Sequence, residues 1–308
     1  MSSPAVVVGI GELLWDLLPN GRQLGGAPSN FAYISSLLGC CSVVVSRVGN
    51  DAMGAEAQER LRSLGLDTTY VQVDNKHQTG TVSVSVDADG MPEFRIVRDV
   101  AWDHIEWNAS LQQLAAKADV VCFGSLAQRQ EPSRSTIHHF LRAAREKCLR
   151  VFDVNLRQAF YDAVILKTGF ALATVVKVND QELPVVLQAC GLPTSNDELG
   201  DTELLLQHFG LDLVCVTRGS KGSLLMKKDG YDEHPGFRVQ VADTVGAGDA
   251  FTAALAHHYR QGQSLAAINA AANRIGGWVA SQPGATPAAT AEQVARMLGV
   301  PESSSANV

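Results

Sequence analysis

The sequence predicts an α/β protein: a three-layer αβα sandwich around a central, mostly parallel sheet, carrying a small β lid. Three observations point there. Short β-branched runs alternate with helical patterns, as βαβ units require. The chain has 308 residues, 46% of them hydrophobic and 19% charged, enough for one large α/β domain with a small appendage. One segment, TGTVSVSVDADGMPEFRIV at 79–97, alternates small polar residues with valine, turns at DADG and resumes, which predicts an antiparallel hairpin inserted into the body. The expected organisation is a single domain over 1–308, with the lid formed by inserted β segments around 12–24 and 79–103.

Taken in order, the expected strands are AVVVGIG (5–11), SVVVSRVG (42–49), DVVCFG (119–124), RVFDVN (150–155), TVVKVN (174–179) and LVCVTRG (213–219). Each is short and rich in Val. The helical segments between and after them are SNFAYISSLLG, AEAQERLRSLG, IHHFLRAAREK, DTELLLQHFG, TAALAHHYRQ and AAINAAANRIGGWVAS, most of them ending near Gly, as a helix C-terminus should. No internal repeat, low-complexity tract or long linker interrupts them.

A net charge of −7 and a pI near 5.6 argue against nucleic acid or an anionic membrane as partner, so any phosphate handled is small and locally held. Six cysteines, at 40, 41, 122, 148, 190 and 215, form no CxxC pair and lie mostly in apolar runs, as reduced core thiols of a cytoplasmic protein would. The opening MSSPAVVVGIGELLWD lacks a basic n-region, and its apolar run breaks at Gly9, Gly11 and Glu12, so neither a signal peptide nor a membrane span is expected. The final PESSSANV reads as a frayed tail.

The stretch DTVGAGDAF (243–251) raises the functional question. A loop of small residues entering a helix exposes backbone N–H groups at the positive end of the helix dipole, so Gly246, Ala247 and Gly248 suit an anion. Asp249 contradicts that unless it does chemistry: a carboxylate where a phosphate will arrive is useful as a base toward an attacking hydroxyl, while the N–H groups stabilise the phosphoryl group in flight. An isolated GxGD is explained equally well by a first-turn charge that the dipole favours. Upstream, Gly25 and Gly26 of GGAPSNFA let backbone approach a ligand, Asn30 offers donor and acceptor sites suited to vicinal hydroxyls, and Asp16 in GELLWD follows the first strand, at the edge where α/β sheets bind ligands.

DTVGAGDAFTAAL resembles the C-terminal signature of the ribokinase-like sugar kinases, the PfkB family, and GGAPSNFA followed by Gly39 and Gly49 is similar to that family's N-terminal signature. The two lie more than two hundred residues apart in the right order, and the similarity covers roughly residues 5 to 295. The resemblance implies a ribokinase-like fold and ATP-dependent phosphorylation of a primary hydroxyl on a monosaccharide. It makes Asp249 the base, assigns Gly246, Ala247 and Gly248 to the transferring phosphoryl group, and gives Asp16 and Asn30 the sugar. It further implies that Asn179 and Glu182 of VVKVNDQE orient Mg2+ and phosphates through water, that Thr217, Gly219 and Gly222 of VTRGSKG face the nucleotide, and that Asn273 lies toward the adenine. A helix cap with a first-turn Glu explains NxxE equally well. Asp243, with carbonyls near Ala280 and Gly284, is a candidate for a monovalent cation such as K+, and Arg157 of FDVNLR for a contact to phosphate or sugar, or for a structural ion pair.

GELLWDLLPNGRQLGGAPSNFAY and FDVNLR are similar to bacterial fructokinases, so fructose, giving fructose 6-phosphate, is the leading substrate. Ribose, 2-keto-3-deoxygluconate and nucleosides remain alternatives; the acid would want cationic contacts, for which Arg157, Arg95 and Arg98 offer themselves. The lid could double as a homodimer interface. A sugar-binding regulator without catalysis is the second class of reading, and intact GAG and Asp249 argue against it. A nicotinamide oxidoreductase is disfavoured because GIGELL has Leu14 where a third glycine belongs. His138, His139, His257 and His258 lie on predicted helices without Cys or carboxylate partners at metal spacing, so no zinc site is expected there.

Overall fold

The computed structural model describes residues 3–18, 21–86, 92–195, 197–290 and 292–294. The expected turn at 87–90 and the expected frayed tail at 301–308 lie outside the described residues.

Seven parallel strands build the body: β1 (Val6–Ile10), β4 (Cys41–Gly49), β5 (Val71–Asp74), β8 (Val120–Phe123), β9 (Leu149–Asp153), β10 (Val175–Asn179) and β11 (Leu213–Thr217). Two antiparallel strands, β12 (Ser223–Lys227) and β13 (Gly230–His234), extend the sheet to the order β13-β12-β11-β10-β9-β8-β1-β4-β5. The parallel strands are Val-rich because both faces are covered, and successive residues feed two separate cores. Val8, Ile10, Val121, Phe123 and Val176 join one core with the helices α3 (Ala109–Ala115), α4 (Ser133–Ala143), α5 (Ala163–Leu172), α6 (Glu182–Cys190) and α7 (Glu198–Phe209). Val7, Val44, Cys122, Val151 and Val175 join the other with α1 (Ala27–Leu37), α2 (Ala52–Ser63), α8 (Ala247–Arg260) and α9 (Leu265–Ala280). The three expected layers are therefore present.

Local chemistry sets the helix ends. Asp51 and Asp162 cap α2 and α5 by accepting the N–H of Gly54 and Ile165, each at 2.7 Å, and α6 and α7 stop at the left-handed Gly191 and Gly210. Sequence periodicity missed β5, α3, α5, α6 and the β12–β13 hairpin.

A second sheet stands apart, in the order β3-β2-β6-β7: β2 (Leu14–Leu18) and β3 (Gly21–Gly25) form one antiparallel pair, β6 (Gly80–Val86) and β7 (Pro92–Ile96) the other, and β2 joins β6 in parallel. The expected hairpin is β6–β7. The chain does not continue this sheet to 103: Ala101–His104 makes a 3-10 turn in which Trp102 is wholly buried in the body's core. Cys122, Cys148, Cys190 and Cys215 are buried, Cys40 is half-buried and Cys41 exposed, and all six are free thiols. Among the described residues no helix is long and apolar enough to cross a membrane.

Candidate active site

The carboxyl ends of the parallel strands gather the polar residues that matter, as open α/β sheets do. Glu12 follows β1, Asp153 ends β9 with Arg157 just beyond, Asn179 ends β10 and Thr217 ends β11. The first turn of α8 faces this edge. Gly246 starts the helix in the left-handed conformation (φ 77°), and a Cβ there would collide with Ala285. Only glycine fits both demands. Of the first-turn N–H groups, that of Ala247 donates to the Thr244 carbonyl at 3.3 Å, while those of Gly248 and Asp249 have no acceptor within the helix, and that end carries partial positive charge.

Asp249 stands in that turn, half-buried, and its Oδ2 accepts from Asn30 Nδ2 at 2.7 Å, joining the two signatures across 219 residues. Burial, then the negative charge of Asp153, push the Asp249 carboxyl up to about 6, against the Asn30 hydrogen bond and the charges of Lys177 and Arg157. Asn30 is 4% exposed and its Oδ1 has no partner. Glu12, equally buried, has an unpartnered Oε2, and burial chiefly, with the Asp249 charge adding to it, pushes its carboxyl up to about 7. Asp16 on β2 is likewise raised by burial, and the Arg157 charge opposes the shift at all three carboxylates. Gly25 passes so close to Asp16 that a Cβ would strike its carboxylate, while a Cβ at Gly26 (φ 122°) would strike the Glu12 carbonyl. Asp16, Gly25, Gly26, Asn30 and Asp249 thus lie around Glu12, with Arg157 near enough for its charge to act on all three carboxylates.

Behind Asp249 lies a matched set that the motifs did not reveal. Lys177, on β10, donates from Nζ to Asp153 Oδ1 at 3.0 Å, and the Thr252 hydroxyl donates to Asp153 Oδ2 at 2.8 Å. Burial works against the Lys177 charge, but Asp153 and Glu182 more than offset it and hold the ammonium firmly protonated. A charged residue inside an otherwise apolar central strand, Lys177 in TVVKVN and Asp153 in RVFDVN, was the available signal.

Asn179 and Glu182 make a capping box: Asn179 Oδ1 accepts the Glu182 N–H at 2.8 Å and Glu182 Oε2 accepts the Asn179 N–H at 2.9 Å. Glu182 Oε1 also accepts from Leu156 N–H at 2.7 Å, which ties the loop leading to Arg157 onto α6. Thr217, Gly219 and Gly222 lie together where β11 turns into β12, with the Arg218 N–H donating to the Gly222 carbonyl at 2.7 Å. Asn273 is spent on the protein itself, its Nδ2 donating to Ser223 Oγ at 2.8 Å and to Asn269. Asp243 does meet the predicted loop: its N–H donates to the Ala280 carbonyl at 3.3 Å and its Oδ2 accepts from Gly284 N–H at 3.1 Å.

A family model for pfkB family carbohydrate kinases matches residues 20–292. An uncharacterized sugar kinase of Pyrococcus horikoshii is 32% identical over 272 residues, 81% of this chain and 81% of that one. Its crystal structure in complex with ATP is similar with a TM-score of 0.76 at 29% identity, covering 91% of this chain and 94% of that chain. A fructokinase of Escherichia coli is 31% identical over 269 residues, 80% of this chain and 81% of the relative. The structure of a Vibrio cholerae fructokinase holding fructose, ADP and calcium is similar with a TM-score of 0.76 at 26% identity, over 96% of this chain and 99% of that one.

Proposed function

This chain belongs to the pfkB family of carbohydrate kinases, and on that premise we propose that it transfers the γ-phosphoryl group of ATP to a primary hydroxyl of D-fructose, giving D-fructose 6-phosphate. The observation that carries the reading is Asp249: a carboxylate at a helix N-terminus, raised to about 6, hydrogen-bonded to an Asn30 whose own carbonyl is buried without a partner. A sugar hydroxyl donating to Asn30 Oδ1 would satisfy that atom and lie beside Asp249. Asp249 takes the hydroxyl proton as the oxygen attacks phosphorus, ADP leaves, and the N–H groups of the first turn of α8 stabilise the charge on the transferring group. A base with a pKa near 6 is ionised at neutral pH yet basic enough to accept a proton.

Asp16, Gly25, Gly26 and Arg157 hold the sugar, and Thr217, Gly219 and Gly222 the nucleotide, with Asn273 shaping that side through Ser223. Glu182 and Asn179 suit Mg2+ by chemistry, being oxygen donors, but their oxygens already accept backbone N–H groups, so they would hold the ion through water. Bound there, Mg2+ neutralises triphosphate charge. Asp243 is the proposed anchor for a monovalent cation, each of its oxygens keeping lone pairs beyond the one N–H it accepts. The four-stranded sheet acts as the lid, limiting hydrolysis of ATP by water, and it is also the surface proposed for a homodimer. Six free thiols favour residence in the reducing cytoplasm.

Fructose rests on the fructokinase relatives at about 30% identity. The second reading, an acidic sugar, rests on Arg157, the cation whose charge acts on Asp16, Glu12 and Asp249. ADP release from MgATP, measured with fructose, ribose, glucose, 2-keto-3-deoxygluconate and adenosine, separates these readings. Selective turnover of fructose supports the proposal, selective turnover of the keto acid replaces it, and no sugar-stimulated ADP release refutes kinase activity on this panel.

A further inference from the structure

The β6–β7 pair of the four-stranded sheet is entered and left through two crossings from the body, residues 75–79 ahead of β6 and 97–100 after β7, and three metal-type ligands meet there. His77 lies in the first crossing, Asp99 in the second, and His104 ends the turn that follows. The ligand atoms of all three lie within 4.8 Å of one another. The two imidazoles stack with centroids 3.6 Å apart, and each presents Nε2 to the same oxygen, Asp99 Oδ1, at 3.8 Å from His77 and 2.8 Å from His104.

The surrounding hydrogen bonds prepare one of these rings for a cation. His77 Nδ1 lies 3.0 Å from Asp74 Oδ2, a carboxylate that is 2% exposed and fixed by the backbone N–H groups of Lys76 and His77 and by Arg47. Donating its Nδ1 proton to Asp74 leaves His77 with a lone pair at Nε2, turned toward a carboxylate oxygen. A carboxylate behind a histidine is the usual way a metal-ligating imidazole is oriented and made more basic. Arg47 is held on Asp74 and Glu106 at 2.8 Å each. Asp99 itself sits at φ 55°, a left-handed conformation uncommon outside glycine and several-fold enriched in Asp and Asn.

We propose that His77, His104 and Asp99 form a binding site for a borderline divalent transition-metal ion such as zinc, which clamps together the two crossings at the base of the lid sheet. Two imidazole nitrogens and one carboxylate oxygen are three of the four ligands of a tetrahedral site, with water taking the fourth. One ion cannot lie in the planes of two parallel rings 3.6 Å apart, so metal–ligand bonds of about 2.0–2.2 Å require His104 to turn out of the stack while Asp74 holds His77, the metal replacing the His104–Asp99 hydrogen bond. Spacing rules overlook such a site because its ligands come from separate turns around a hairpin rather than from one helix. The site is separate from Asp249 and its neighbours, and zinc is not asked to take part in phosphoryl transfer.

The test is calorimetric titration of untagged, chelator-stripped full-length protein with zinc chloride, repeated on His77→Ala, His104→Ala and Asp99→Asn. Asp99→Asn keeps a residue that tolerates the left-handed backbone, so it guards against a loss of fold in the other two. Expected are one equivalent of zinc in the wild type, affinity at least 10-fold weaker in each variant, and slower amide exchange within 75–79 and 97–104 on adding zinc. Absence of a one-equivalent binding event overturns the proposal. So does an equivalent unchanged in all three variants, which would lie elsewhere, for instance where Cys40 Sγ meets His257 Nδ1 at 3.6 Å.

Discussion

Two sets of polar residues stand back to back under the start of α8, and they are finished differently. In the inner set Asp153 has Lys177 on one oxygen and Thr252 on the other, and little of either charged group reaches solvent. In the outer set, among the described residues, Asp249 has only Asn30, while Asn30 Oδ1 and Glu12 Oε2 have nothing. Both sets are costly to bury, but only the inner one is compensated within the chain. Matched buried charges are scaffold. Unmatched ones persist where a ligand completes the hydrogen bonding, and their raised pKa values at Glu12 and Asp249 are the electrostatic form of the same deficit.

The contrast is broken most severely by removing one inner partner. Lys177→Met leaves the Asp153 carboxylate buried without its counter-charge, and urea unfolding should show a loss of about 3–5 kcal/mol. A loss below ~1 kcal/mol would mean that the inner set is not held by charge matching. Next, Asn30→Ala removes a hydrogen bond to a charged group, worth about 1.5–3 kcal/mol, so kcat/KM for the sugar should fall roughly 10- to 150-fold. The same change should move the Asp249 titration upward, because the Asn30 bond lowers it.

A smaller effect has the opposite sign. Asp249 titrates near 3.8 unfolded and about 6 folded, so the native state binds the extra proton and its stability falls as pH rises from about 4 to about 6. Asp249→Asn should abolish that fall and leave the variant more stable than wild type at pH 7, by on the order of 1–3 kcal/mol, with little difference at pH 3.5. A variant less stable at pH 7 would show that the carboxylate is already compensated. Smallest of all, Arg22→Ala breaks an exposed ion pair with Glu56 and should change stability by less than about 1 kcal/mol, a floor against which the buried effects are read.

Much of the outer set was legible in the sequence, because Gly25, Gly26, Asn30, Gly246 and Asp249 sit in compact motifs whose spacing is set by single turns of backbone. The strands of the body were legible because burial on both faces makes them near-continuous Val runs. Lys177 and Asp153 were not, although both lie inside those runs: what makes them useful is a contact across 24 residues to each other and across 99 to Thr252. NxxE at 179–182 shows the ambiguity of a short motif, since the capping box explains it fully and leaves any metal role to be measured. The helices α5 and α6 escaped notice because both are largely apolar and lack a clear amphipathic period.

That Asp249 is the base is tested most directly by the pH dependence of kcat/KM for fructose phosphorylation, measured for wild type and Asp249→Asn. The wild-type profile should fall below a pKa near 6, and the variant should lose about 10²- to 10⁴-fold in rate together with that acidic limb. A variant that keeps both its rate and its limb would place the base elsewhere, with Glu12 the first residue to test.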